Sequence, residues 1–139
     1  MSVVNLSTTN YKHNDELREM IEHAPKNTRG ILLLPRKAQW KRFTSLVKEQ
    51  IGAKKTSRMV NYLIYKWLQD IDNQSPKPLE FDNTVLSRND DRSPVNMSVD
   101  HELWTQFTAK ISSIYGVKKI QTLVLDMIIE DYLEFIDEA

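Results

Sequence analysis

The feature that most constrains this chain is an internal repeat. Displaced by 64 positions, residues 31–72 align with residues 95–136 without a gap. The identical pairs are Trp40/Trp104, Phe43/Phe107, Thr44/Thr108, Gly52/Gly116, Lys54/Lys118, Lys55/Lys119, Val60/Val124 and Ile64/Ile128. Two of the three tryptophans and two of the three glycines are among them. Apolar class is also kept at Val47/Ile111, Met59/Leu123, Leu63/Met127 and Ile71/Phe135. Self-similarity at a fixed period means one structural unit used twice, neither copy being obliged to close its own core.

Each copy reads in the same order. A short run comes first: residues 31–35 (Ile-Leu-Leu-Leu-Pro) or 95–99 (Val-Asn-Met-Ser-Val). The second run alternates apolar and polar with period two, as a half-buried strand does. A helical stripe follows: Trp40, Phe43, Val47 and Ile51, matched by Trp104, Phe107, Ile111 and Tyr115. These positions fall on one helix face and predict a core-facing surface. Asp100 is suited to cap the helix over 101–115, with Glu102 in its first turn. Gly52 and Gly116 are placed to end the two helices in the left-handed region. A second stripe then runs through Met59, Val60, Leu63, Ile64, Trp67, Leu68 and Ile71, and in the other copy through Leu123, Val124, Met127, Ile128, Tyr132 and Phe135. Thr56 or Ser57 is suited to cap the first of these second helices.

The parts are therefore an extension over 1–28 with a short amphipathic helix near 14–24, a first copy over 29–72, a linker over 73–93, and a second copy over 94–139. The linker holds Pro76 and Pro78 and is too long for a tight turn. With no cysteine, disulfide scaffolds and thiolate metal sites are excluded, and a reducing, cytoplasmic location is expected. The longest apolar run, 31–34, is far short of a membrane span, and residues 1–10 carry no secretory pattern. His13, His23 and His101 lack ligand spacing, so no metal site, cofactor or catalytic residue is assigned, and no enzyme is expected. The net charge of zero conceals an asymmetry. Residues 29–72 hold ten Lys/Arg against three Asp/Glu, a net +7, and residues 94–139 hold three against eight, a net −5. The first copy alone is basic enough to attract a polyanion.

Strand, helix, glycine turn and helix within this length resemble the ribbon-helix-helix family of DNA-binding proteins, of Arc/MetJ-like type. The resemblance covers 29–72 and 94–136. It implies a mainly α fold with a short two-stranded antiparallel β-ribbon, two copies in one chain forming an intramolecular pseudo-dimer similar to TraY-like proteins. Family members insert the ribbon into a major groove. The implied function is sequence-specific binding of double-stranded DNA, as a plasmid or phage transcriptional repressor. A relaxosome or partition accessory is the neighbouring role, and a degenerate copy acting as a protein-interaction module is the rival from another class.

In such a ribbon Val95, Met97 and Val99 turn inward, and Asn96 and Ser98 turn outward as base-contacting candidates. The equivalents of that pair in the first copy are Leu32 and Leu34. A strand apolar on both faces is usually covered on both. Either leucines touch thymine methyl groups, or the outer face lies under the helix near 14–24, a second copy of the chain, or a protein partner. Arg29 and Arg36 flank this strand as further DNA contacts. Lys54, Lys55, Lys118 and Lys119, with Thr56 and Ser57, stand at the starts of the second helices, where the family clamps phosphates. Lys37, Lys41, Arg42 and Lys48 read as a solvated face adding general attraction. The acidic residues Asp126, Glu130, Asp131, Glu134, Asp137 and Glu138 are expected to face away from DNA.

Overall fold

The stripes at helical spacing form helices and the alternating segments form strands. The structure, a computed structural model, describes residues 14–23, 25–73, 91–116 and 120–138. Among these, α1 is Asp15–Glu22, β1 is Thr28–Leu33, α2 is Lys37–Gln50, α3 is Thr56–Asp70, β2 is Val95–Asp100, α4 is His101–Tyr115 and α5 is Gln121–Glu138. The fold is mainly helical, with one two-stranded antiparallel sheet among the described residues. Most of the linker, residues 74–90, lies outside them.

Element ends follow local chemistry. The Asp100 carboxylate accepts the Leu103 N–H at 2.8 Å and caps α4 as its sequence predicts. Gly116 closes α4 in the left-handed region at φ 68°, its N–H donating to Ser112 O at 2.9 Å. Gly52 follows the last residues of α2 at φ 145°, its N–H donating to Val47 O at 3.1 Å. Both are conformations that a β-carbon would strain. The expected cap at Thr56 or Ser57 is corrected. The connection from α2 turns through positive φ at Gly52 and again at Lys54 (φ 63°). That turn uses the residues up to Lys55, which becomes the N-cap without any side-chain cap bond, and Thr56 and Ser57 fall inside the first turn.

The ribbon begins earlier in the first copy than the apolar run suggested. β1 starts at Thr28, not Ile31, because its partner strand extends to Asp100, directly opposite Thr28. Leu32 stands opposite Asn96, the residue 64 positions later in the chain. The flanking backbone bonds obey the same spacing. His101 N–H donates to Asn27 O at 2.9 Å at one end, and Lys37 N–H donates to Asp91 O at 2.7 Å at the other. Beyond β1, Arg36 bridges to Arg92 in the same register.

The inner face of the ribbon (Leu33, Met97, Val99) closes one side of the core. The helices cross between halves. Phe43 of α2 meets Tyr132 of α5 edge-on at 5.9 Å and 85°, and Phe107 of α4 meets Trp67 of α3 edge-on at 5.3 Å and 83°. Both phenylalanines are fully buried. Burying each contributes about 1.5–3 kcal/mol, so much of each copy's stabilisation comes from the other.

The extension forms the predicted amphipathic helix, with Leu17 and Ile21 fully buried. It lies against α3, where Asn14 Nδ2 donates to the Tyr62 hydroxyl at 3.0 Å and Arg58 Nη1 donates to Ile21 O at 2.6 Å.

Candidate nucleic-acid interface

Residues directly opposite in an antiparallel pair share a face, and the faces alternate along the strands. The register therefore collects Gly30, Leu32, Asn96 and Ser98, flanked by Thr28 and Asp100, on one face and Arg29, Ile31, Leu33, Val95, Met97 and Val99 on the other. The apolar residues of the second set are buried or half-buried, and Arg29, at the ribbon end, is exposed. Gly30, Leu32, Asn96 and Ser98 are all exposed. Leu32 is 61% exposed, the one large hydrophobic side chain among the described residues to be so.

Of the alternatives for the apolar first strand, cover by the helix near 14–24 is excluded, because α1 spends its apolar stripe on α3 and leaves Leu32 exposed. The expectation that Leu34 accompanies Leu32 needs adjustment. Leu34 is half-buried beyond the end of β1. Its N–H donates to Thr122 Oγ1 at 3.3 Å and its carbonyl accepts from Arg92 Nη1 at 2.6 Å. The backbone there is fastened to α5 and to the linker's last residues, so the face narrows at that end.

Two buried polar groups hold the ribbon in place. Asn61 on α3 accepts the Asp100 N–H at 2.9 Å and donates to Ser57 O at 2.8 Å, fixing the junction of β2 and α4. At the opposite end Arg92 Nη1 also reaches Asp126 Oδ2 at 2.8 Å, with both side chains more than nine-tenths buried. Burial pushes the Asp126 carboxyl above its ordinary pKa, and the hydrogen bond and charge of Arg92, followed by the backbone N–H and charge of Arg36, oppose that rise. Asp126 is thus a structural acid under the ribbon end, which corrects for this residue the expectation that the acidic group faces away from the DNA-binding side; Asp131 is buried as well. Glu130 and Glu134 are exposed.

The basic candidates lie at the ribbon ends, along α2 and in the turn before α3. Arg29 is exposed at one end, opposite Val99, and Arg36 is exposed at the other, opposite Arg92. Lys37, Lys41, Arg42 and Lys48 are exposed along α2. Lys54 is exposed in the turn, and Lys55, Thr56 and Ser57 are half-buried at the start of α3. Lys118 and Lys119 lie outside the described residues. Both helix starts in the basic half lack a side-chain cap, at Arg36 for α2 and at Lys55 for α3. At α2 the first N–H, that of Lys37, is already taken by Asp91 O; N–H groups in the first turn of a helix are otherwise of the kind that phosphate oxygens satisfy.

Sequence reasoning missed Gly30, Arg92 and Asn61. Gly30 precedes the repeated block, so the repeat gave it no weight; a glycine inside a strand was the available signal. Arg92 sat in what read as a polar linker end. Asn61 is replaced by Leu125 in the other copy, so no pattern marked it. Comparison with protein-family models, curated proteins and solved structures finds no match to the chain.

Proposed function

We propose that the chain is a single-chain pseudo-dimer of ribbon-helix-helix type that binds double-stranded DNA and acts as a transcriptional repressor. The observation that carries the reading is the outer face of the ribbon: Leu32, Asn96, Ser98 and Gly30 exposed together on a strand pair whose inner face is core. A two-stranded ribbon fits the major groove, which is about 12 Å wide. Asn is suited to a bidentate contact with adenine, Ser to a base edge, and Leu to a thymine methyl. The pairing of Leu32 with its own counterpart Asn96 supports the pseudo-dimer, because a two-fold axis relating the copies would pass through that pair. Exposed cations on α2 and in the turn before α3, beside uncapped helix starts, supply the attraction to phosphate.

The test is binding of the full chain to random-sequence and genomic duplexes over a range of salt. Affinity is expected to fall steeply with salt. Replacing Lys54 and Lys55 together by Ala is expected to weaken all duplexes uniformly and to flatten the log–log salt slope by about 0.9 for each phosphate no longer neutralised. No binding at low salt, or binding indifferent to salt, rejects the reading.

A further inference from the structure

The two sides of the ribbon centre are unlike, and this bears on the kind of sequence it reads. We infer that the recognised DNA is a non-palindromic site, read on the Gly30/Ser98 side of an A·T pair at the ribbon centre; this rests on the DNA-binding reading above.

A ribbon of two identical strands offers the same groups on either side of its centre, and symmetric protein faces are mirrored by palindromic sites. Here the centre is the Leu32/Asn96 pair. These two side chains are themselves unlike: Asn96 suits the adenine edge and Leu32 suits the thymine methyl, the two halves of one A·T pair. Two residues toward α4 the outward pair is Gly30 and Ser98. Two residues the other way the same register brings Leu34 and Pro94. Leu34 is half-buried with its backbone held by Thr122 and Arg92, and Pro94 has no N–H to offer. A polar group for a base edge therefore stands on one side only.

Gly30 marks the same side by another route. Glycine in a strand interior weakens the strand. Among the described residues nothing demands it there. Its φ is not positive, and a β-carbon built on it would meet no described atom within 4 Å. Where neither conformation nor internal packing requires glycine, the remaining use is close approach of another molecule to the backbone. The gap faces outward beside the Ser98 hydroxyl, on the exposed face. Charge favours a polyanion as the occupant of the outer face, with Arg36 exposed in register with that face beyond Leu34 and Lys37 next to it; Arg29, exposed at the Gly30 end, lies in register with the core-facing residues.

The experiment is selection from duplexes with a randomised core, using the full chain. The expected product is an asymmetric sequence with an A·T pair at its centre. Changes on one side of that pair are expected to cost about tenfold or more in affinity, the scale of one good base contact, and changes on the other much less. Gly30→Val fills the gap without an internal clash. It is expected to keep the wild-type circular dichroism and to melt no lower than wild type, while losing about tenfold or more in affinity for the selected duplex. Ser98→Val, at an exposed strand position that suits a β-branched residue, is expected to relax selection on the same side only. Pro94→Ser is expected to change nothing. An enriched palindrome with two equally sensitive halves overturns this inference and leaves DNA binding standing. A folded Gly30→Val protein that binds as wild type overturns it as well. Failure to enrich any duplex at low salt overturns both this inference and the function on which it rests.

Discussion

Helices α2 and α4 occupy equivalent places 64 residues apart and share their inner faces. Trp40 lies against Phe43 at 5.6 Å and 45°, and Trp104 lies against Phe107 at 5.4 Å and 48°. Their outer faces differ in charge. Where α2 carries Lys37, Lys41, Arg42 and Lys48, α4 carries His101, Thr105, Gln106 and Ser112. Their starts differ too: Asp100 caps α4, and its counterpart Arg36 leaves α2 uncapped. The shared core requires the same ring in the same place twice, so those residues match. Solvent makes no such demand. The basic charge has gathered in one half, where both helix starts lack a side-chain cap, which is the pattern expected if that half grips phosphate and the other chiefly completes the fold.

The largest effects test whether the two copies support the core equally. Phe43 and Phe107 are both fully buried, each edge-on to a ring from the other copy. Phe43→Ala and Phe107→Ala are each expected to cost about 3–5 kcal/mol. Because the ring contacts cross between copies, each variant is expected to unfold in urea as one transition, seen alike by far-ultraviolet circular dichroism and tryptophan fluorescence. Two separate transitions would break the equivalence and make the copies independent domains.

A second test lies where the symmetry fails. The buried Arg92–Asp126 pair corresponds, 64 residues earlier, to Thr28 and Tyr62, so only one end of the ribbon rests on an ion pair. Asp126→Ala strands the Arg92 charge in the interior and is expected to cost about 3 kcal/mol. The carboxyl's own titration has a definite sign. Burial raises the folded pKa of Asp126 above its unfolded value, against the pull of Arg92. The folded state therefore holds this proton more tightly. Its contribution is greatest below the unfolded carboxyl pKa, near 4, and is lost as pH rises through the folded value. Asp126→Asn is expected to remove that slope from a chemical-denaturation series. A wild-type curve whose Asp126-dependent part rises with pH would contradict the burial argument.

The fold was legible wherever packing imposes a period. Trp40, Phe43 and Val47 announce α2, and Asp100 announces the start of α4, because core contact and cap chemistry are local or periodic. The alternation of Val95, Met97 and Val99 likewise announces the inner face of β2. The start of β1 was not legible, since Thr28 joins the strand only because Asp100 lies opposite it. The cap expected at Thr56 was displaced by a turn through positive φ at Lys54, which composition does not reveal. For the site, Asn96 and Ser98 were readable as the outward phase of β2. The uncovered state of Leu32 was not, because it depends on where α1 docks. Nor was the gap at Gly30, whose meaning appears only when Ser98 stands across from it.

The smallest effects separate the two helix starts most sharply, because stability and binding should move in opposite directions. Asp100→Ala removes the bond to the Leu103 N–H, and loss of such a cap costs about 1 kcal/mol. Asp100 is not among the proposed DNA-binding residues, so affinity for DNA, corrected for the folded fraction, should hold. Arg36→Ser makes the reverse change. It gives α2 a hydroxyl able to cap its first turn and removes a cation that opposes the helix dipole, together worth about 0.5–1 kcal/mol, against the loss of the charge that Arg36 holds near Asp126, so a small net rise in stability is expected. If Arg36 meets a phosphate, affinity should fall and the salt slope should become shallower by about 0.9, the value of one neutralised phosphate. Melting temperature and salt-dependent affinity measured on the same samples decide the matter. A more stable protein that binds less well means that the uncapped, cationic start of α2 is kept for the ligand at the expense of the helix. A more stable protein that binds equally well would mean that Arg36 serves neither.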